Sequence, residues 1–230
     1  MITHRPPEEL LLGYAAGSLP EPIALTVAAH AALCPESARE IRRLEGIGGT
    51  LLDRLAPAAL KADALDRALA LLDREDVAPP RPIATAETRA LLPAPVWPYI
   101  KGDLKNLVWR RRSADIDTAA LIEDGGKRSA ILLRVKGGRP VPRHTHRGLE
   151  LTLVLTGAYC DAANCFERGD IQVADPTIDH QPMAQAGEDC ICLIALEAPI
   201  WFTGPIGRLA NPFVISNAIQ NLGLPSIRSS

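Results

Sequence analysis

Two hydrophobic patterns divide the chain. Through about residue 75 the apolar positions recur at helical spacing. From about residue 99 they gather in short runs parted by Gly, Pro and Asp. In the first part, "PPEELLLGYAAG" predicts a short helix that stops near Gly17. Ser18 is placed to cap the next helix, with Glu21 three residues on as in a capping box. "PIALTVAAHAALC" is long enough for a buried helix. Pro35 suits the first turn of a third helix, which carries Ile41 and Leu44 and runs toward Leu55. "PAALKADALDRALALLDRED" predicts a fourth helix with Leu65, Leu69 and Leu72 on one face.

The later runs, "AILLRV", "LELTLVL", "DIQVAD" and "CICLIAL", have the length and punctuation of strands in an all-β sandwich or barrel. Between the two parts, residues 76–98 hold six of the chain's 20 prolines. Proline lacks an N–H and disfavours helix in the residue before it, so a semi-extended linker is expected there. The division is a helical unit at 1–75, a linker at 76–98, a β unit at 99–210 and a tail at 211–230. The fold class is α+β.

Charge narrows the function. With 25 basic and 27 acidic residues the net charge is -2, without the basic surplus of a nucleic-acid binder. No apolar run is long enough for a membrane helix, and "MITHRPPEELLLGYAAG" lacks the basic and apolar regions of a signal peptide. Five cysteines, not spaced as in a small secreted scaffold, point to a reducing, cytoplasmic compartment.

The densest chemistry lies in "GGRPVPRHTHRGLELTLVLTG", residues 137–157. His144, His146 and Glu150 all have even numbers, so an extended chain presents them on one side, with Gly148 able to bend it. Imidazole and carboxylate suit zinc, iron, manganese, nickel or copper, and burying three such groups is costly unless a cation pairs them. Two solvated turn histidines beside a surface glutamate is the plain alternative. The spacing decides between them: Gly138, five residues, His144, one, His146, three, Glu150, six, Gly157. This pattern resembles the first motif of the cupin superfamily, which implies a small antiparallel β-barrel with a metal inside its mouth. In "GDIQVADPTIDH" the second motif is degenerate, but His180 stands where the family supplies a fourth ligand. Cys190 and Cys192 share a strand face, either as small buried hydrophobes or as a redox pair near the metal. Cys160 and Cys165 read as loop-adjacent, with no metal signature.

A second candidate site lies in the helices. His30 and Cys34 are i, i+4 on the second predicted helix, a spacing that suits zinc. "HAALCPES" resembles the His-x3-Cys-x2-Cys motif of zinc-binding anti-sigma factors, with Ser37 in place of the second cysteine. His4 sits where such proteins place another histidine ligand. A serine hydroxyl is a poor zinc ligand, which leaves three outcomes open: three protein ligands plus water, recruitment of Glu36, or a site without metal.

Together, the near-motif, the linker and the C-terminal cupin resemble the ChrR type of anti-sigma factor. "HTHRGLELTLVLTGAY", "EDCICLIALEAP" and "LLGYAAGSL" carry the likeness. The resemblance implies a cytoplasmic regulator whose helices block an extracytoplasmic-function sigma factor. Its cupin, holding Zn2+ or another divalent ion such as Mn, Fe or Ni, would release that factor on exposure to singlet oxygen or organic hydroperoxide. It implies no direct nucleic-acid or membrane contact and leaves open a homo-oligomer through the cupin. The rival is a cupin dioxygenase or isomerase with a helical appendage.

Overall fold

The computed structural model describes residues 2–72, 83–124 and 128–204 of the 230-residue chain. The helical part comprises α1 (Glu8–Ala15), α2 (Glu21–Leu33), α3 (Pro35–Asp53), α4 (Ala64–Leu72) and α5 (Ala86–Leu91). Pro35 opens α3 as expected. Ser18 does not cap α2: the N-cap is Pro20, and Ser18 Oγ instead donates to the Gly13 carbonyl at the end of α1. Pro22 also lies in the first turn of α2, where missing N–H groups cost nothing.

The strands are β1 (Arg110–Arg111), β2 (Ile116–Asp124), β3 (Arg128–Val135), β4 (His144–Thr145), β5 (Glu150–Thr156), β6 (Ala158–Cys160), β7 (Cys165–Glu167), β8 (Ile171–Ala174), β9 (Asp179–His180), β10 (Met183–Ala184), β11 (Cys190–Leu196) and β12 (Trp201–Phe202). All pair antiparallel. They form a six-stranded sheet, β1-β2-β3-β11-β5-β8, and two three-stranded sheets, β10-β6-β7 and β12-β4-β9, rather than one hydrogen-bonded closed barrel.

Period two along β5 explains the molecule's layering. Leu151, Leu153 and Leu155 face a core that also holds Ile23, Leu25 and Ala29 of α2. Val154 faces the opposite core, with Tyr159, Phe166, Cys190 and Cys192. On β11, Leu193 and Ala195 point toward α2, while Cys190, Cys192 and Ile194 point away. The central strands are therefore covered on both faces, which is why "LELTLVL" and "CICLIAL" read as nearly unbroken apolar runs. On its other side α2 meets α1 and α3, with Val27 packed among Leu11, Ile41 and Leu44. A helix apolar on most sides is thus enclosed on most sides, with Glu21 and Ala32 left exposed.

The expected linker is partly core. Residues 83–98 do not run extended: Thr85 caps α5 by accepting from the Thr88 N–H, and residues 94–100 form a 3-10 turn. Leu92, Val96 and Ile100 are buried in the same core as α2. The prolines set turns between apolar residues that the core takes up; residues 76–82 lie outside the described part, as does the tail at 211–230. Among the described residues no helix is long and apolar enough to cross a membrane.

Candidate metal centre

His144, His146, Glu150 and His180 are all buried, and their donor atoms lie within 4.8 Å of one another. They do not share one extended strand. His144 is on β4 and His180 opposite it on β9, in direct register. The chain bends at Arg147–Gly148 and enters the large sheet at Glu150, the first residue of β5. The bend brings together donors that parity alone would have aligned along one strand. The three imidazoles stand edge-on to one another, with ring centroids 4.7 to 5.2 Å apart.

Hydrogen bonding fixes what each ring offers. His144 Nδ1 lies 2.8 Å from the Pro142 carbonyl, which can only accept, so Nδ1 carries the proton and Nε2 a lone pair. His180 Nδ1 lies 3.3 Å from the Asp161 carboxylate, with the same consequence for its Nε2. These two Nε2 atoms are 3.2 Å apart. Two lone pairs aimed at each other in a buried site repel unless a cation sits between them. Neither ring nitrogen of His146 has a hydrogen-bond partner, although Nε2 is 3.3 Å from Glu150 Oε2. The other Glu150 oxygen accepts from Thr152 Oγ1 at 3.0 Å.

The electrostatics agree. Burial pushes the His144 imidazole below its ordinary value. At His146 burial acts the same way, but the Glu150 carboxylate outweighs it and the net shift is upward. Glu150 is held below the usual carboxylate range because His146 and His144 overcome its burial. A carboxylate kept ionised among converging nitrogens could hold a cation, and the donor set fits a divalent metal. Donor separations of 3.2 and 3.3 Å match the edge expected when metal–ligand distances are about 2.0–2.2 Å.

The helical candidates assemble differently. Cys34 is the residue between α2 and α3, not part of a continuous helix with His30. His30 is fully buried and uses both nitrogens: Nδ1 donates to the Gly169 carbonyl, and Nε2 accepts from Ser37 Oγ, both at 2.9 Å. Burial lowers its pKa from the ordinary value. Cys34 Sγ lies 3.5 Å from Ser37 Oγ and 3.5 Å from Glu36 Oε2. His4 is not in this group: its ring packs on Phe166, and Nδ1 lies 3.6 Å from Asp170 Oδ2. Among the described residues, the cupin cluster alone gathers three or more metal donors.

Sequence reasoning missed that this region is a junction. Asp170 accepts from the backbone N–H groups of Thr3, His4 and Glu167, and the Ile171 N–H donates to the His4 carbonyl. Gly169 has φ +90°, and a Cβ there would fall 2.6 Å from Ile2 Cδ1. The "RGD" at 168–170 was the available signal, a glycine before a buried aspartate. Cys160 and Cys165 are joined by a disulfide across the β6–β7 hairpin. Cys190 and Cys192 are buried with their sulfurs 3.6 Å apart, packed against Val154, Tyr159 and Phe166.

Comparison with known proteins places this architecture. Residues 100–199 match the ChrR cupin-like domain. The anti-sigma-E factor ChrR of Cereibacter sphaeroides is 42% identical over 212 residues, covering 92% of this chain and 98% of the relative. The crystal structure of Rhodobacter sphaeroides SigE in complex with the anti-sigma ChrR matches with a TM-score of 0.72 at 39% identity, covering 85% of this chain and 99% of the other.

Proposed function

The chain belongs to the family of ChrR anti-sigma factors, regulators rather than enzymes, and we propose that it sequesters an extracytoplasmic-function sigma factor through its helices and responds to oxidative stress through a metal-bound cupin. The observation that carries the first half is an uncovered apolar surface. Ile47 and Leu51, one helical turn apart on α3, are exposed, as are Leu52 and Leu55 beyond them. The helix α4 buries no residue at all, and Leu65, Leu69, Leu71 and Leu72 stand in solvent. Leucines at helical spacing that no described residue covers mark a protein-binding face. Inhibition needs no chemistry, only occupation of the sigma surface that would otherwise meet RNA polymerase.

In the second half, His144, His146, Glu150 and His180 hold the metal, most simply Zn2+. A bound divalent ion supplies the positive charge that the buried carboxylate and facing lone pairs require. The shared core between α2 and the large sheet gives a change at the cluster a mechanical route to the helices. The test is direct. The full chain, mixed with the host's extracytoplasmic-function sigma factors, should form a one-to-one complex with one of them and suppress its transcription in vitro. Failure with every such factor would remove the proposal.

The site around His30 follows as a vestige. Ser37 completes a hydrogen-bonded row where a thiolate would complete a zinc site. Ser37→Cys places a third good donor beside His30 and Cys34. The parent should bind one equivalent of zinc and the Ser37→Cys chain two, counted by chelator titration. A count unchanged at one would show that His30 Nε2, Cys34 and a thiolate at position 37 do not suffice to hold zinc.

A further inference from the structure

The β6–β7 hairpin carries a feature that the proposed function does not use. Its two strands are joined by Cys160–Cys165, and the loop inside that bond begins with Asp161. One oxygen of this carboxylate accepts the N–H groups of Ala163 and Asn164, both at 2.9 Å, which locks the loop. The other accepts from Gln172 Nε2 at 2.6 Å and from His180 Nδ1 at 3.3 Å. Gln172 is fixed in turn by the Tyr159 hydroxyl at 2.8 Å. Asp161 thus sets the tautomer and direction of one donor of the cluster, and the disulfide is the covalent clasp of the loop that aims it. Cys165 is exposed, within reach of a dithiol.

We propose that Cys160–Cys165 is a reversible redox site that tunes the affinity of the cupin cluster for its metal by tightening or loosening Asp161 against His180. The inference rests on the metal reading above. The step is thiol–disulfide exchange. A dithiol thiolate attacks Cys165 Sγ, the S–S bond breaks, and Cys160 leaves as a thiolate that takes up a proton. The second thiol of the reductant then displaces Cys165. Two electrons and two protons pass to the protein, and the reductant becomes a disulfide. With the clasp open, the 161–164 loop regains conformational freedom, and Asp161 no longer holds His180 in one orientation. Loss of such a carboxylate partner weakens metal binding by about 10–100-fold. Linkage is reciprocal: a tenfold preference of metal for the closed form lowers the disulfide's midpoint potential by about 30 mV.

The test uses the full chain and Zn2+ alone in chelator competition. Oxidised parent should bind about tenfold more tightly than dithiol-reduced parent. Cys160→Ser with Cys165→Ser should match the reduced form, which excludes zinc held by the freed thiols. Asp161→Asn should bind weakly in both redox states. The midpoint potential of the disulfide, measured with and without Zn2+, should fall when zinc is present. The comparison of oxidised and reduced parent needs no variant, so misfolding of a variant does not blunt it. Equal affinity in the two parent states overturns the inference and leaves the metal reading standing, as does full redox sensitivity in Asp161→Asn. No zinc binding by the oxidised parent overturns both.

Discussion

The His144→Ala, His146→Ala chain takes up no metal at the cupin cluster. Two of four donors are gone, and Glu150 and His180 cannot hold a divalent ion alone; the loss in affinity exceeds ~100-fold, the upper range for removing a supporting partner only. The variant also leaves the Glu150 carboxylate buried without the imidazoles that keep it ionised. The metal-free fold is therefore weakened, by about 1–3 kcal/mol for an unpaired buried group. Thermal unfolding with and without Zn2+ reads both effects. Zinc raises the midpoint of the parent by mass action and leaves that of the variant unchanged. The parent's affinity also depends on pH. Glu150 outweighs burial and raises the His146 pKa above its ordinary value, so proton competition with the metal sets in at a higher pH than for a free imidazole, and binding weakens as pH falls. A double variant that retained one equivalent of zinc would place the metal elsewhere.

Ile47→Asp with Leu51→Asp abolishes capture of the sigma factor while the chain stays folded. Each residue is about half exposed or more, 49% and 60%, so the free protein loses little by the change, within about 0.5 kcal/mol each. In a complex the same two positions would be desolvated against the partner, where a buried charge costs about 2 kcal/mol or more per site. The expected fall in affinity is above ~100-fold. Measured affinity and unfolding midpoint must diverge: loss of binding together with loss of fold would mean that these side chains serve the chain's own core.

The cluster was legible in the sequence because its ligands sit close together and the cupin spacing is specific. His144, His146 and Glu150 fall within seven residues, and His180 follows on a strand paired in register with His144. What parity could not convey was the bend at Gly148, which carries the donors across two sheets. α3 and α4 were legible from their periodicity, and α2 from the length of its apolar run. The junction was not. A largely apolar α2 and unbroken apolar strands each announce burial, but neither names its partner, and here they cover each other. Within the expected linker at 76–98 the prolines signal an extended segment, while Leu92 and Val96 between them enter the core, a pairing nothing local announces. Asp170 and Gly169 gained their place in the junction from contacts with residues more than 130 positions away. Nothing local says that Cys160 and Cys165 bracket a loop whose Asp161 contacts His180 of the cluster.

The bare leucines of α4 have a consequence outside any complex. A chain made in excess of its partner carries that oily strip into the surrounding water, where other copies are the nearest remedy. Self-association is then expected to rise with concentration. The quantity a cell must hold steady is the ratio of the two proteins, not the amount of either, which favours making them together.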